Sequence, residues 1–252
     1  MKNYISNKRL LFIIINFILI NTIYCQITRV VYKTNIYGND LNSDNIKDKV
    51  ANVSNEEAKM LESFFRSQNG VELELIYDKK KSLFRKVEIL EKDGSIANKL
   101  PSIFDKEIYF KNNETKEKLY QTEYENMTYN ILLPFDNYKW VITDEMKIIN
   151  GYKCYKATTT FEDIYNPRKG TKNTFSPFVW FAPDIPCSFG PKGLDGLPGL
   201  VLEGSINGKK YFYATLINFD FKKESKIEKP KNGRDITIIE FENILKDNFK
   251  KS

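Results

Sequence analysis

The sequence contains no histidine. That absence excludes Ser-His and Cys-His nucleophile pairs, His-ligated zinc, copper, iron and haem, and the commonest general base at neutral pH. Cysteine is scarce, three in 252 residues, and no two form a CxxC pair, so thiol redox chemistry is not expected. Nine prolines and twelve glycines are too few for a fibrous repeat, and 41% hydrophobic with 14% aromatic residues is too much for disorder. No glycine-rich loop ends in Lys-Ser or Lys-Thr, so phosphate cradling is excluded too. Carboxylates, lysines, tyrosines and three thiols remain as chemical equipment. A chain of this length can bury about 70% of its unfolded surface and needs no metal or cofactor to fold.

Lys2, Lys8 and Arg9 precede an apolar run from Leu10 to Ile20 broken only by Asn16. A membrane span needs about 20 unbroken apolar residues, so the shorter run reads as a secretory signal peptide, residues 1–25, cleaved after Cys25. No transmembrane segment is then expected in residues 26–252. The rival reading is a lipid anchor on Cys25, against which Thr22, Ile23 and Tyr24 lack the small residues of a lipid-attachment box. The expected location is periplasmic, outer-envelope associated or secreted. Removing residues 1–25 takes three basic and no acidic residues, leaving 36 Lys+Arg against 33 Asp+Glu, a net charge of +3 rather than +6. That near balance is not the footprint of a nucleic-acid binder. Cys154 and Cys187 remain, an even count in an exported chain and hence disulfide candidates. A bridge closing a loop of about 30 residues would contribute roughly 3–4 kcal/mol in the chain-entropy view. Two free buried thiols are the alternative.

Alternating apolar and polar residues predict strands at 27–37, 71–77, 83–91, 107–110, 118–124, 129–132 and 138–143. Ser54 and Glu57 have the spacing of a capping box ahead of Met60, Leu61, Phe64 and Phe65, which predicts a short helix over 55–66. Asn150-Gly151 and Asn207-Gly208 predict hairpins over 145–161 and 199–221. Phe178 to Phe181 and Tyr211 to Ala214 lack polar alternates, so both faces of those strands are expected to be covered, by packing or by an apolar ligand. Thr237 and Glu240 form a second capping box, opening a C-terminal helix with Phe241, Ile244, Leu245 and Phe249 on one face. No repeat or linker divides residues 26–252, so the expectation is one α+β domain: a curved, mainly antiparallel β-sheet with a short early helix and a C-terminal helix.

Between Asp184 and Glu203 lie four glycines and three prolines, including Gly196-Leu197-Pro198-Gly199-Leu200-Val201. Pro198 suits the second position of a type II turn and Gly199 its third, where φ is positive. This segment resembles the GLPGLI family of exported proteins from Bacteroidetes-type bacteria, with Val201 in place of the final Ile. Trp140 to Met146, Ile149 to Cys154, Lys156-Ala157-Thr158, Trp180-Phe181-Ala182, Ile185-Pro186 and Gly190-Pro191 fit the same family. Cys187 and an insert near Tyr165 to Thr174 depart from it. The resemblance implies an exported β-rich protein of unknown molecular function and brings no activity with it.

Candidate chemistry is thin. Glu162, Asp163, Asp184, Asp195 and Glu203 could supply a glycosidase-like pair only if two of them faced each other across a cleft. Asp40, Asn42 and Asp44 open like a calcium loop, but Asn45 replaces the required Gly and Ala51 the bidentate Glu. Neither catalytic nor metal-ligating residues are therefore assigned. Trp180, Phe178 and Phe189 are the candidate lining of a ligand cavity, with core packing as the competing role. The reading is a non-enzymatic envelope protein binding an apolar ligand or a partner protein. The alternatives are a carboxylate-based hydrolase and a structural accessory of an outer-membrane complex.

Overall fold

The computed structural model describes residues 27–36, 69–87, 106–208, 210–221 and 227–250, with Ser54, Glu56 and Lys59 besides. The segment expected to be a signal peptide, the calcium-like loop and nearly all of the helix expected over 55–66 fall outside the described residues. The early helix is therefore not shown.

Among the described residues, twelve strands form one open sheet. The first six are β1 (Thr28–Ile36), β2 (Glu72–Tyr77), β3 (Lys81–Lys86), β4 (Ile108–Asn112), β5 (Glu117–Tyr124) and β6 (Met127–Leu132). They run as an antiparallel meander outward from β1. On the other side of β1 the order is β13 (Lys210–Asn218), β12 (Leu200–Ser205), β11 (Phe178–Ala182), β8 (Tyr152–Thr158) and β7 (Val141–Ile149). β9 (Phe161–Asn166) and β10 (Thr171–Phe175) make a separate hairpin between β8 and β11. β14 (Arg234–Thr237) adds to β6 in parallel, the one parallel pairing among the described strands. It leads directly into α1 (Ile238–Phe249).

Local chemistry accounts for the turns and the helix. Asn150 and Gly151 both have positive φ, 51° and 82°, as a two-residue hairpin between Ile149 and Tyr152 requires. In the second hairpin Gly208 supplies the positive φ. Thr237 caps α1 by accepting from Glu240 N at 3.2 Å, while Glu240 accepts from Thr237 N at 2.8 Å. Phe241 and Leu245 are buried against Tyr129, Ile131 and Ile236, each burial contributing about 1.5–3 kcal/mol. Phe249, expected on that face, is instead 49% exposed. Among the described residues, no helix is long and apolar enough to cross a membrane.

The main core gathers Val30, Tyr32, Leu73, Leu75, Phe84 and Leu202 from the strands with Ile185, Phe189, Leu194 and Leu197 from the glycine- and proline-rich segment. That segment lies across the inner face of the sheet. An ideal Cβ on Gly190 would touch the Val201 side chain of β12, and one on Gly193 would lie 3.1 Å from Tyr109 Cδ1 of β4. Those strands are five steps apart in the sheet, about 24 Å if it were flat. The sheet curls around the segment and remains open.

Both faces of β11 and β13 were expected to be covered, and the structure corrects this. Val179 and Phe181 point into the core, whereas Trp180 and Phe178 lie partly exposed on the opposite face and Tyr213 is 39% exposed. Ammonium groups cover part of that outer face: Lys147 Nζ stands 4.5 Å from the Trp180 ring and Lys156 Nζ 5.8 Å from that of Phe178.

Candidate binding cleft

Tyr109 on β4 and Tyr120 on β5 stack with ring centroids 4.7 Å apart. They meet in register as antiparallel partners, so both side chains leave the sheet on one face. Opposite them stands the β9–β10 hairpin. Phe161 lies 5.4 Å from Tyr138 and 5.8 Å from Phe175, centroid to centroid. The hairpin is tied to α1 through Glu242, which accepts from Tyr165 N at 3.2 Å and pairs with Lys172 at 2.8 Å. Between the tyrosines and the hairpin is a cavity of about 730 Å3.

Six charged side chains border this cavity, Glu107, Glu162 and Asp163 against Lys139, Lys172 and Lys192. Glu107 Oε2 lies 2.8 Å from Lys192 Nζ, out of hydrogen-bond alignment but close enough for an ion pair, and Glu107 Oε1 accepts from Tyr120 Oη at 3.4 Å. Burial raises the Asp163 carboxyl above its ordinary value. The backbone N–H of Ile164 opposes the rise, Glu107 adds to it and Lys192 opposes it. Burial likewise raises the phenols of Tyr109, Tyr120 and Tyr138, so all three stay protonated donors at neutral pH.

Lys192 reaches the cleft from a single turn of 3-10 helix, Pro191–Gly193. It has φ of 54°, an uncommon conformation for a residue with a Cβ. Three residues on, Asp195 pairs with Lys111 of β4 at 3.2 Å and Lys118 of β5 at 3.0 Å, all three side chains at most 7% exposed. Lys111 Nζ also stands 4.1 Å from the Phe135 ring, and Lys118 Nζ donates to Gly193 O at 3.0 Å. Burial lowers the Lys118 ammonium, the Asp195 charge and hydrogen bond oppose that, and Lys111 adds to it. Trp140 Nε1 donates to Asp195 O at 2.8 Å.

The positions singled out in the sequence are dispersed. Phe189 is a core residue 6.0 Å from Tyr77, while Trp180 and Phe178 lie on the outer face, so the three do not line one cavity. Of the five candidate carboxylates only Glu162 and Asp163 border the cleft. Asp184 is exposed, Glu203 pairs with Lys147 at 2.6 Å, and Asp195 is the buried counter-ion described above. Tyr109 and Tyr120 lie in ordinary alternating strands and Glu107 just ahead of one, far in sequence from the hexapeptide, so no local signal marks them. Among the described residues no three His, Cys, Asp or Glu side chains gather as a metal site would need.

Two further expectations are corrected. Cys154 and Cys187 are free thiols, each donating to a different carbonyl, Cys154 to Tyr152 O at 3.5 Å and Cys187 to Phe189 O at 3.4 Å. Burial pushes the first up to about 11 and the second up to about 12, which leaves both unreactive at neutral pH. In the hexapeptide Gly196, not Gly199, has the positive φ, at 88°. Gly199 is required for close approach: a Cβ there would fall 2.4 Å from Ala182 O.

Residues 166–203, which include the hexapeptide, match the model of a family described as a protein of unknown function, Porph_ging. That name differs from the one the hexapeptide suggests, and both families lack an assigned function. Among solved structures the chain is similar to PNGF-II in two crystal forms, C2 and P21, with a TM-score of 0.54 and 18% identity in each. The likeness covers 87% of this chain but only 32% and 33% of the PNGF-II chains, so the chain spans about a third of that protein's length. At that identity the likeness concerns the fold. No curated protein sequence matches.

Proposed function

We propose that this is an exported cell-envelope protein of the GLPGLI type that binds an uncharged ligand, flat on one side and hydrogen-bonding at its edge, in the cleft between Tyr120 and Phe161. The observation that carries this is the lining. Aromatic rings from the sheet and the hairpin face one cavity of about 730 Å3, and the charges along it balance, three carboxylates against three ammonium groups, with Glu107 paired to Lys192. A cavity of this size and mixed lining fits a small-molecule site. It departs from a purely apolar pocket, because Glu107, Asp163 and three phenols offer hydrogen bonds. Export rests on the signal-like residues 1–25, and the early helix over 55–66 remains part of the proposed fold.

A second reading, a carboxylate-based hydrolase, is favoured by one observation: Asp163 and Glu107 share the cleft, and the Asp163 carboxyl is inclined to keep its proton. Native mass spectrometry of protein isolated from its own cells separates the two. A binder carries added mass in the wild type and loses it in Tyr120→Ala/Phe161→Ala. A hydrolase arrives empty and carries added mass only in Asp163→Asn. No added mass in any of the three removes the cleft from consideration.

A further inference from the structure

We infer that Asp195 is a positioning residue for the cleft: by binding Lys111 and Lys118 it fixes the turn that holds the Lys192 ammonium against Glu107, and Lys192 thereby determines which charge the cleft accepts. This rests on the cleft being the binding site. The hexapeptide segment acquires a role it otherwise lacks, as the arm that brings a cation to a wall built by distant strands.

Lys111 and Lys118 are cross-strand partners on β4 and β5, so they emerge side by side on the face that bears Asp195. Two buried cations side by side repel, and a carboxylate between them is the group that makes their burial tolerable. Lys118 also binds Gly193 O, so one ammonium grips the turn at both Gly193 and Asp195. Between those grips and Pro191 the backbone has little freedom. Lys192 and Gly193 both take positive φ, Leu194 N donates to Pro191 O at 3.0 Å, and Gly196 N donates to Ser188 O at 2.9 Å. Gly193 packs near Tyr109, where a Cβ would lie 3.1 Å from Cδ1 of the ring. With the turn so held, the Lys192 side chain emerges beside Glu107, 12% exposed. Without its ammonium Glu107 would be uncompensated, and three carboxylates, Glu107, Glu162 and Asp163, would face two ammonium groups, Lys139 and Lys172, which shifts the cleft toward cationic ligands.

The titration of Asp163 reads the position of Lys192 directly and needs no ligand. The titratable groups sharing the cleft with Asp163 are Glu107 ahead of β4, Lys192 from the turn, Tyr109 and Tyr120 from the sheet, Tyr138 and Lys139 from the loop after β6, and Glu162 and Lys172 from the hairpin. Lys192 is the cation among them that holds its midpoint down. Carbon-detected NMR of the full chain should show the Asp163 midpoint move upward in Lys192→Gln and also in Asp195→Asn. The direct effect of deleting the Asp195 charge has the opposite sign, so an upward move in Asp195→Asn reports displacement of Lys192 rather than lost charge. If Asp195→Asn does not fold, Lys111→Met/Asp195→Asn removes a cation and the anion together and should give the same upward move. An unchanged or lowered midpoint in the Asp195 variants, beside a raised one in Lys192→Gln, overturns the inference. So does an unchanged midpoint in Lys192→Gln. Neither result depends on whether a ligand is found, so a failure of the binding reading is separately visible.

Discussion

At Asp163, burial works against ionisation in the folded state, while the unfolded chain ionises it at its ordinary value of 3.8. The unfolded state therefore binds fewer protons over the window from 3.8 up to the raised folded value, and stability falls as pH climbs through that window. Below it both states hold the proton and nothing is lost. Asp163→Asn should accordingly raise Tm at pH 7 and leave it unchanged near pH 3, measured by thermal unfolding across that range. An Asn that lowers Tm at pH 7 would mean the carboxylate is stabilised where it sits. Residue identity in the sequence marked some such positions and not others. Gly199 stood out as a residue needing special treatment, but the reason was misassigned: a turn angle was read where the constraint is the carbonyl of Ala182, a contact that turn chemistry does not encode. Cys154 and Cys187 looked like a pair by count, and counting says nothing about which carbonyl each thiol faces.

Elements with a local cause were legible. The Asn150-Gly151 hairpin and the Thr237/Glu240 cap follow from residues within a few positions of each other, and both occur where the spacing put them. The cap carries a measurable share of stability: Thr237→Ala should cost about 1 kcal/mol in chemical denaturation, with most of the loss recovered by Thr237→Ser. An unaffected midpoint would assign α1 entirely to its packing through Phe241 and Leu245. Strand ends were less legible than strand existence. β7 was expected in two pieces, a strand over 138–143 and the first arm of a hairpin over 145–161, and instead runs unbroken from Val141 to Ile149, because its pairing with β8 bulges between Ile142 and Met146 and so extends past the point where alternation fails. The outer face of β11 was misjudged for a related reason. Lysine stems can shield an aromatic ring as a neighbouring element would, and a hydrophobic pattern registers only the ring.

At the scale of the whole molecule, the sequence disclosed a curved antiparallel sheet but not where its concavity would gather chemistry. The cleft is assembled from β4 and β5 in the first half, the β9–β10 hairpin in the second, and Lys192 from the segment between β11 and β12. Those pieces meet because the sheet curls around the hexapeptide segment, a long-range consequence that no window of the sequence contains. The insert near Tyr165 to Thr174, a departure from the family the hexapeptide suggests, becomes the outer part of that hairpin. We propose this cleft, and not the Trp180 face, as the place where a small molecule binds. Crystals soaked with a panel of uncharged, flat, hydroxylated fragments and a matched charged panel test it most directly. Density for the uncharged fragments is expected between Tyr120 and Phe161, within reach of Glu107 or Asp163. Fragments gathered instead on Trp180 and Phe178, with the cleft empty at every concentration, would contradict it.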